Sequence, residues 1–594
     1  MDGKILESIR KHALKNAYDY GQANPSKVMG RVLGEFAEEK ANAKEIMAEI
    51  SREAGMINSL SKEEIGQEMQ KYDYGEQGEK QKAGAKEAGA EGAGKKIILP
   101  GAIEGKTITR FTPEPGGHLH IGHAKALFLG YEGALNHGGQ MRLRMDDTNP
   151  QKAKREFVEG IVSSIKWLGI KWRGEITYSS DYMGQFYELA NELIMKSCAY
   201  VCNCSQDKIK EGREKKMRCD CAARMPAESV AEFKKMCSGE GYAAGDAILR
   251  YKGDMKAQNT VMRDPTLFRI IDGAHFRQGE KYKCWPNYDF AVAVVDSLEG
   301  ITHAMRSKEY ELRDELYYSI LENLEMRKPL MISFSRLAIK GAPVSKRLIT
   351  PLIEEGKVSG YDDIRLPTLI ALKRRGIQPA AIRNFVLSFG LSKVESEPGW
   401  DKLLSENRKL IDGEAQRRFF VPKPARVHIQ GAPAGEIEVK NHPHEELGAR
   451  KITASSLVYI PSADAQALSE GEVFRLKDWC NVKLLQKGGA QAIMPDGKSG
   501  QIVELKCEFV SLEGTVQRKV QWVCDENKVA AKVDIAHDLY VGEKFNENSL
   551  EEAWGWGERS LNFANVGDIF QFERFGFVRL DVKGESPSFV FISK

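Results

Sequence analysis

The sequence predicts a multidomain α/β protein. A doubly wound parallel sheet is interrupted by an insertion, a helical connector and a C-terminal all-β region follow it, and a helical domain precedes it. Three changes of pattern along the 594 residues carry this reading. From about 97 to 335, short apolar strands alternate with helical patterns, as βα units around a parallel sheet do. After about 413, short alternating segments separated by turn residues dominate. Before 75, apolar residues recur at helical spacing.

In chain order, residues 1–74 read as a helical accessory domain. Ile5, Ile9 and Ala13 share a helical face, as do Met29, Val32, Leu33 and Phe36. Residues 75–96 (GEQGEKQKAGAKEAGAEGAGKK) carry no apolar anchor and read as a flexible linker. Residues 97–196 form the first half of a nucleotide-binding fold: Met141 to Met145 alternates like a strand, and Lys154 to Leu168 has helical spacing. Residues 197–275 read as an insertion and 276–335 as the second half. There, the continuous apolar run Phe290 to Val295 is expected to be a buried parallel strand. Residues 336–412 look helical, with Lys373, Arg374 and Arg375 as a basic cluster on one side. In 413–594, segments such as Arg426 to Ile429, Glu436 to Lys440 and Val520 to Val523 alternate around turns at Gly488-Gly489 and Asp496-Gly497, which predicts a sandwich or barrel.

Bulk composition excludes little. Lys and Arg total 87 against 84 Asp and Glu, a net charge of +3, which neither announces nor excludes a nucleic-acid partner. No apolar run approaches the roughly 18 residues of a membrane span, and the first twenty residues lack a signal core, so a cytoplasmic protein with no membrane partner is expected. The ten cysteines are then expected as buried thiols or metal ligands.

The strongest motif runs from Arg110 to Ala126 (RFTPEPGGHLHIGHAKA). It starts as a strand, passes a Pro/Gly turn and enters a helix, the geometry in which helix N-terminal amides meet a phosphate chain. His120 and His123, three apart on the first turn, can donate to phosphate oxygens. Far downstream, Ile332 to Arg336 (ISFSR) precedes Pro343 to Arg347 (PVSKR), which in isolation is an ordinary solvated basic turn. Cys202, Cys204, Cys219 and Cys221 form two C-x-C pairs. Four thiolates can hold Zn²⁺ tetrahedrally, although structural sites usually space each pair by two or more residues. The other reading is four reduced thiols on a basic loop.

The first motif resembles the HIGH signature of class I aminoacyl-tRNA synthetases, in the form of the glutamyl and glutaminyl branch. PVSKR resembles the KMSKS loop of that class, with Pro343 where the first lysine stands. Arg142 to Pro150 (RLRMDDTNP), Val261 to Pro265 (VMRDP), Pro286 to Phe290 (PNYDF), Leu298 to His303 (LEGITH) and Val566 to Phe577 follow in family order. The resemblance implies a Rossmann-like catalytic sheet, an insertion holding the tRNA acceptor end, a helical stem-contact domain over 336–412 and C-terminal β-barrels reading the anticodon. It implies an ATP-dependent ligase, using ATP with Mg²⁺, that forms an aminoacyl-adenylate and transfers the acyl group to the 3′ end of a tRNA. It assigns catalysis to His120, His123 and Lys346. ATP contact falls to Glu114, Pro115, Gly116, Gly122, Lys125, Thr302, Val344 and Ser345 with those three. Arg110 is expected to bind a substrate carboxylate, Asp146 the α-ammonium, and Tyr288 to line the pocket. Some relatives place a zinc site on C-x-C pairs at the position of the four cysteines.

Arg306 stands where glutaminyl enzymes carry a small or thiol residue, and Val292 where they carry His. Both favour L-glutamate, whose two carboxylates need two cations, over glutamine. The alternative for Arg306 is a structural ion pair with Asp296 or Glu299. The expected partner is tRNA(Glu), with tRNA(Gln) left open and a monomer expected. The first 74 residues resemble the family's add-on domain, best at Asn24 to Gly30, and act either in tRNA or protein docking or as a spacer. The rival readings are a glutaminyl enzyme of the same fold, a truncated paralogue that glutamylates a tRNA base (which would lack the C-terminal β-region), and a non-catalytic tRNA-binding relative, which would be expected to lose His120, His123 or Lys346.

Overall fold

A computed structural model describes residues 3–20, 22–36, 42–69, 71–72 and 96–594. Of the expected linker at 75–96, residues 75–95 lie outside them. Two compact units are present, Met1–Gly92 and Ala93–Lys594. The first consists of helices Gly3–Tyr20, Pro25–Glu35, Ala43–Ile57 and Lys62–Met69. Its second helix starts with Pro25 behind an Asn24 cap whose side chain accepts from the Ser26 and Lys27 amides. Ile5, Ile9, Val28, Val32, Ile46 and Ile50 fill its core.

The second unit is organised by five short strands: β1 (Ile108–Phe111), β2 (Gln140–Met145), β3 (Thr177–Tyr178), β4 (His303–Ser307) and β5 (Leu330–Phe334). β1 pairs in parallel with β2, β2 with β3, and β4 with β5. The Thr302 amide donates to the Ile108 carbonyl at 2.9 Å, and Arg110 reaches the Met305 carbonyl at 2.6 Å. β4 therefore lies beside β1 and runs the same way, giving the order β3-β2-β1-β4-β5. The chain winds outward through β1, β2 and β3, then returns to start again at β4. That reversal is the topological switch point at which such sheets open a crevice at the strands' C-terminal ends. Helices α1 (Ile121–Leu135), α2 (Arg155–Trp167), α3 (Tyr288–Leu298), α4 (Asp314–Asn323) and α5 (Lys346–Glu354) accompany the strands. α2 is amphipathic and buries Phe157, Val158, Ile161 and Ile165.

α3 corrects the sequence reading. Phe290 to Val295, expected as a parallel strand, is helical, and every residue from Asp289 to Asp296 is buried. An apolar run enclosed on all sides carries no periodicity, so strand and helix look alike in the sequence. The inserted segment builds a four-stranded antiparallel sheet from Ala199–Cys202, Ile248–Tyr251, Thr266–Ile270 and Cys284–Pro286, so its last strand lies beyond the expected boundary at 275. After α5, helices Leu369–Arg374, Pro379–Leu387 and Trp400–Ile411 lead into two seven-stranded sheets. The three residues of the basic cluster in this region do not share one solvated face: Lys373 is exposed, Arg374 pairs with Asp362 and Asp581, and Arg375 is buried against Trp400. Among the described residues, no helix is long and apolar enough to cross a membrane.

Candidate active site

The crevice at the C-terminal ends of β1, β2, β4 and β5 is a cleft of about 680 Å³ lined from each strand: Arg110 to Glu114, Asp146, Met305 to Ser307, and Phe334, Arg336 and Leu337. His120 caps α1 and His123 occupies its first turn. The Gly122 amide donates to His120 Nδ1 (3.1 Å) and the His120 amide to His123 Nδ1 (3.2 Å). A ring nitrogen that accepts cannot carry the proton, so both imidazoles are held as Nε2–H tautomers. Burial pushes the His123 imidazolium down to about 4 and that of His120 well below its usual range. Both rings are therefore neutral donors at pH 7, at the positive end of a helix dipole. Gly122 permits this packing: a Cβ there would sit 3.0 Å from the Leu337 carbonyl oxygen, which leads out of β5.

The second motif reaches the first. Ser345 caps α5 and Lys346 opens it, so Lys346 lies on a helix rather than within a loop. Its ammonium donates to the Gly116 carbonyl at 2.6 Å, inside the Pro/Gly turn ahead of α1, and lies 5.0 Å from the Phe157 ring centroid. Glu114 and Val344 line the cleft beside it. The Pro115 carbonyl accepts from the Lys154 amide, which fixes the turn from below.

Two residues expected at ATP lie elsewhere. The Lys125 ammonium is buried and donates to the Ser335 carbonyl (2.8 Å) and hydroxyl (2.9 Å), tying α1 to the root of the second motif. Burial lowers its ammonium to about 8. Thr302 sits ahead of β4, with its hydroxyl against Ile108 at the N-terminal edge of the sheet, the end opposite the cleft.

The cleft floor is ionic. Arg110 is 5% exposed and donates to both Asp296 oxygens (3.2 and 3.1 Å) as well as to Met305 O. Arg144 donates to Asp296 (2.7 Å) and Glu299 (2.7 Å). Glu299 also accepts from Thr177 and Tyr182, and Asp296 from Tyr317. The two acids weighed as partners for Arg306 are thus taken by Arg110 and Arg144. Arg306 instead pairs with Asp314, lies 5.5 Å from the Tyr317 ring centroid, and leaves its Nε without an acceptor. Tyr288 lines the cleft and lies 5.2 Å from Tyr310, ring centroid to centroid. Val292, one turn on, is buried in the neighbouring core and is not among the residues that line the cleft. Missed from sequence were Asp289 and Arg313, which pair at the rim, and Arg336 with Glu309 (2.8 Å). Asp296 had a readable signal, because a lone acid within an apolar run must be buried and paired.

Asp146 follows β2 and faces the cleft, and no hydrogen bond to its carboxylate is found among the described residues. Burial pushes its carboxyl up to about 7, against the lowering effect of Arg144. An ammonium ligand needs the ionised form, so binding below this pH must expel a proton. The KM for an amino-acid substrate is therefore expected to be flat above pH 7 and to rise by up to about tenfold per unit below it. Steady-state kinetics from pH 5.5 to 8.5 check this, and Asp146→Asn should remove the slope.

In the insert, the four cysteine sulfurs lie within 4.8 Å of one another, with Cys202–Cys219 at 3.7 Å and Cys204–Cys221 at 3.8 Å. The edge of a tetrahedron with metal–sulfur bonds of about 2.3 Å is about 3.8 Å, so the donor set fits a thiolate-bound metal. Cys202 and Cys204 wall a trough of about 670 Å³ that also carries Lys210, Arg213 and Arg263. Arg269 and Asn287 line both trough and cleft, so the two adjoin at these residues.

The family model described as "tRNA synthetases class I (E and Q), catalytic domain" matches residues 106–412, and two models described as the anti-codon binding domain of the same class match 415–510 and 519–581. The glutamate--tRNA ligase of Nitrosopumilus maritimus is 42% identical over 99% of this chain and 99% of its own. That of Cenarchaeum symbiosum is 39% identical over 97% of each, and that of Pyrococcus abyssi 36% identical over 98% and 99%. With its switch-point cleft, its paired histidines and a family match across most of its length, the chain belongs to the class I (E and Q) tRNA synthetases.

Proposed function

We propose that the chain is a glutamate–tRNA ligase that activates L-glutamate with ATP·Mg²⁺ and transfers it to the 3′ end of tRNA(Glu). The observation that carries this reading is the charge pattern of the cleft. Glutamate brings two carboxylates and one ammonium, and the cleft offers Arg110, Arg306 and an unpartnered Asp146. Of Arg110's five N–H groups, three are engaged within the protein, leaving one on each terminal nitrogen for a carboxylate. Glutamine would offer the remaining N–H groups of one guanidinium a neutral amide oxygen in place of a carboxylate, a weaker partner than a charge-assisted, two-pronged contact.

The first step is attack of the glutamate α-carboxylate on the α-phosphate, with pyrophosphate leaving. A carboxylate is already ionised at neutral pH, so no general base is required. The work of the site is alignment and stabilisation of charge. His120 and His123 donate Nε2–H, the α1 amides supply a helix N-terminus, and Lys346 follows the charge that builds on the leaving phosphates. A ribose hydroxyl of the tRNA, arriving along the trough lined by Lys210, Arg213, Arg263 and Arg269, then attacks the acyl carbon; the acyl–phosphate bond breaks, and AMP leaves as the hydroxyl proton passes to its phosphate or to water. Glu114, Pro115, Gly116, Val344 and Ser345 form the walls of the ATP site. The four cysteines hold a structural Zn²⁺, and the C-terminal sheets bind the anticodon. The protein acts as a cytoplasmic monomer.

Acylation of tRNA(Glu) and tRNA(Gln) transcripts with labelled glutamate or glutamine tests the reading. Glutamate is expected to be esterified to tRNA(Glu) and glutamine to neither transcript; preferential esterification of glutamine would overturn it. The tRNA(Gln) arm reads whether a second tRNA is charged.

A further inference from the structure

The cysteine cluster has a neighbour that neither the cleft nor the trough explains. Arg250, on the strand Ile248–Tyr251, is 2% exposed. One terminal nitrogen lies 3.9 Å from Cys202 Sγ and 3.8 Å from Cys219 Sγ. Its Nε donates to the Asp264 carbonyl oxygen at 2.9 Å, and its other terminal nitrogen is buried without a partner. The nearby Asp264 carboxylate is already engaged by Arg218 (2.8 and 3.1 Å), the Tyr200 hydroxyl (2.7 Å) and the Gly253 amide (2.9 Å). Among the described residues, Arg250 therefore has no carboxylate ion pair.

A guanidinium cannot shed its proton in the accessible pH range, so burial cannot be relieved by titration, as it can for lysine. An unpaired buried cation is strongly disfavoured. Four neutral thiols give it no counter-charge. Four thiolates around a divalent ion carry a net charge of about −2, and the sulfurs of Cys202 and Cys219 face the guanidinium directly.

Resting on the metal reading above, we propose that Arg250 is the counter-cation of the tetrathiolate metal site. The pairing places opposite charges in a buried site, where the Tyr200 ring, 5.6 Å from the guanidinium carbon, and the Asp264 carbonyl supply no full counter-charge.

The test uses the full chain purified with one equivalent of Zn²⁺, with affinity read by chelator competition and the thiolate-to-metal absorption read on the Co²⁺-loaded form. Arg250→Met is expected to weaken binding by about 10–100-fold, as losses of groups around metal ligands do, and to speed thiol modification at Cys202 and Cys219. Arg250→Lys, run alongside in case the methionine variant does not fold, keeps the charge but not the fork. It should weaken binding by several-fold and shift the Co²⁺ absorption. Parent-like affinity and spectra in the variants would overturn the role of Arg250 while leaving the metal reading intact. A parent chain that binds neither ion would overturn both.

Discussion

Arg306→Ala is expected to lower kcat/KM for glutamate by about 10²–10³-fold, the loss found when one partner of a buried charged contact is removed. The side chain is 5% exposed, and among the described residues its one hydrogen bond is to Asp314, so its remaining N–H groups are available to a substrate carboxylate. Its Nε, buried without an acceptor, marks a donor that the protein alone does not satisfy. If the guanidinium binds the amino acid as proposed, most of the loss should appear in KM for glutamate, with KM for ATP nearly unchanged. Arg306→Lys should recover part of the activity, since it restores the charge without the planar fork. Circular dichroism and Tm separate this from a folding defect caused by leaving Asp314 unpaired. Near-normal glutamate kinetics in Arg306→Ala would remove it from the substrate pocket.

Lys346→Ala should cost about 10²–10³-fold in the rate of ATP–pyrophosphate exchange measured with tRNA present, the range seen when a donor aimed at transition-state charge is lost. The ammonium is within 2.6 Å of the Gly116 carbonyl, so it already stands at the turn where the phosphates would lie. An interaction made chiefly as pyrophosphate departs should lower kcat and kcat/KM together while leaving KM for ATP within a few-fold. Lys346→Arg should retain more activity than Lys346→Ala. A large rise in KM for ATP with unchanged kcat would assign Lys346 to ground-state binding instead.

The parts of the site legible in the sequence are those in which a short stretch carries its own geometry. A strand, a Pro/Gly turn and a helix beginning at His120 can be read from neighbouring residues, because capping and turn chemistry are local. What could not be read depends on distance along the chain. Lys125 shares a helix with His123, but its ammonium reaches Ser335, more than two hundred residues away. Thr302 stands in a family-like segment, yet only the direction of β4 reveals that it lies at the far end of the sheet. The partners of Arg110, Arg144 and Arg306 were likewise undetermined: the sequence supplied the acids Asp296, Glu299 and Asp314 but not their assignment. α3 was misread because complete burial erases the pattern that distinguishes strand from helix.

The account depends on the His120–His123 turn and Lys346 meeting on one nucleotide. A crystal structure with a non-hydrolysable glutamyl-adenylate analogue tests this most directly. The analogue's phosphate is expected within hydrogen-bond distance of Nε2 of His120 or His123 and of the Lys346 ammonium, with its glutamyl side chain against Arg110 or Arg306 and its ammonium on Asp146. An analogue seated away from the α1 N-terminus, or with Lys346 still bound to Gly116 and no cation on its carboxylate, would contradict it.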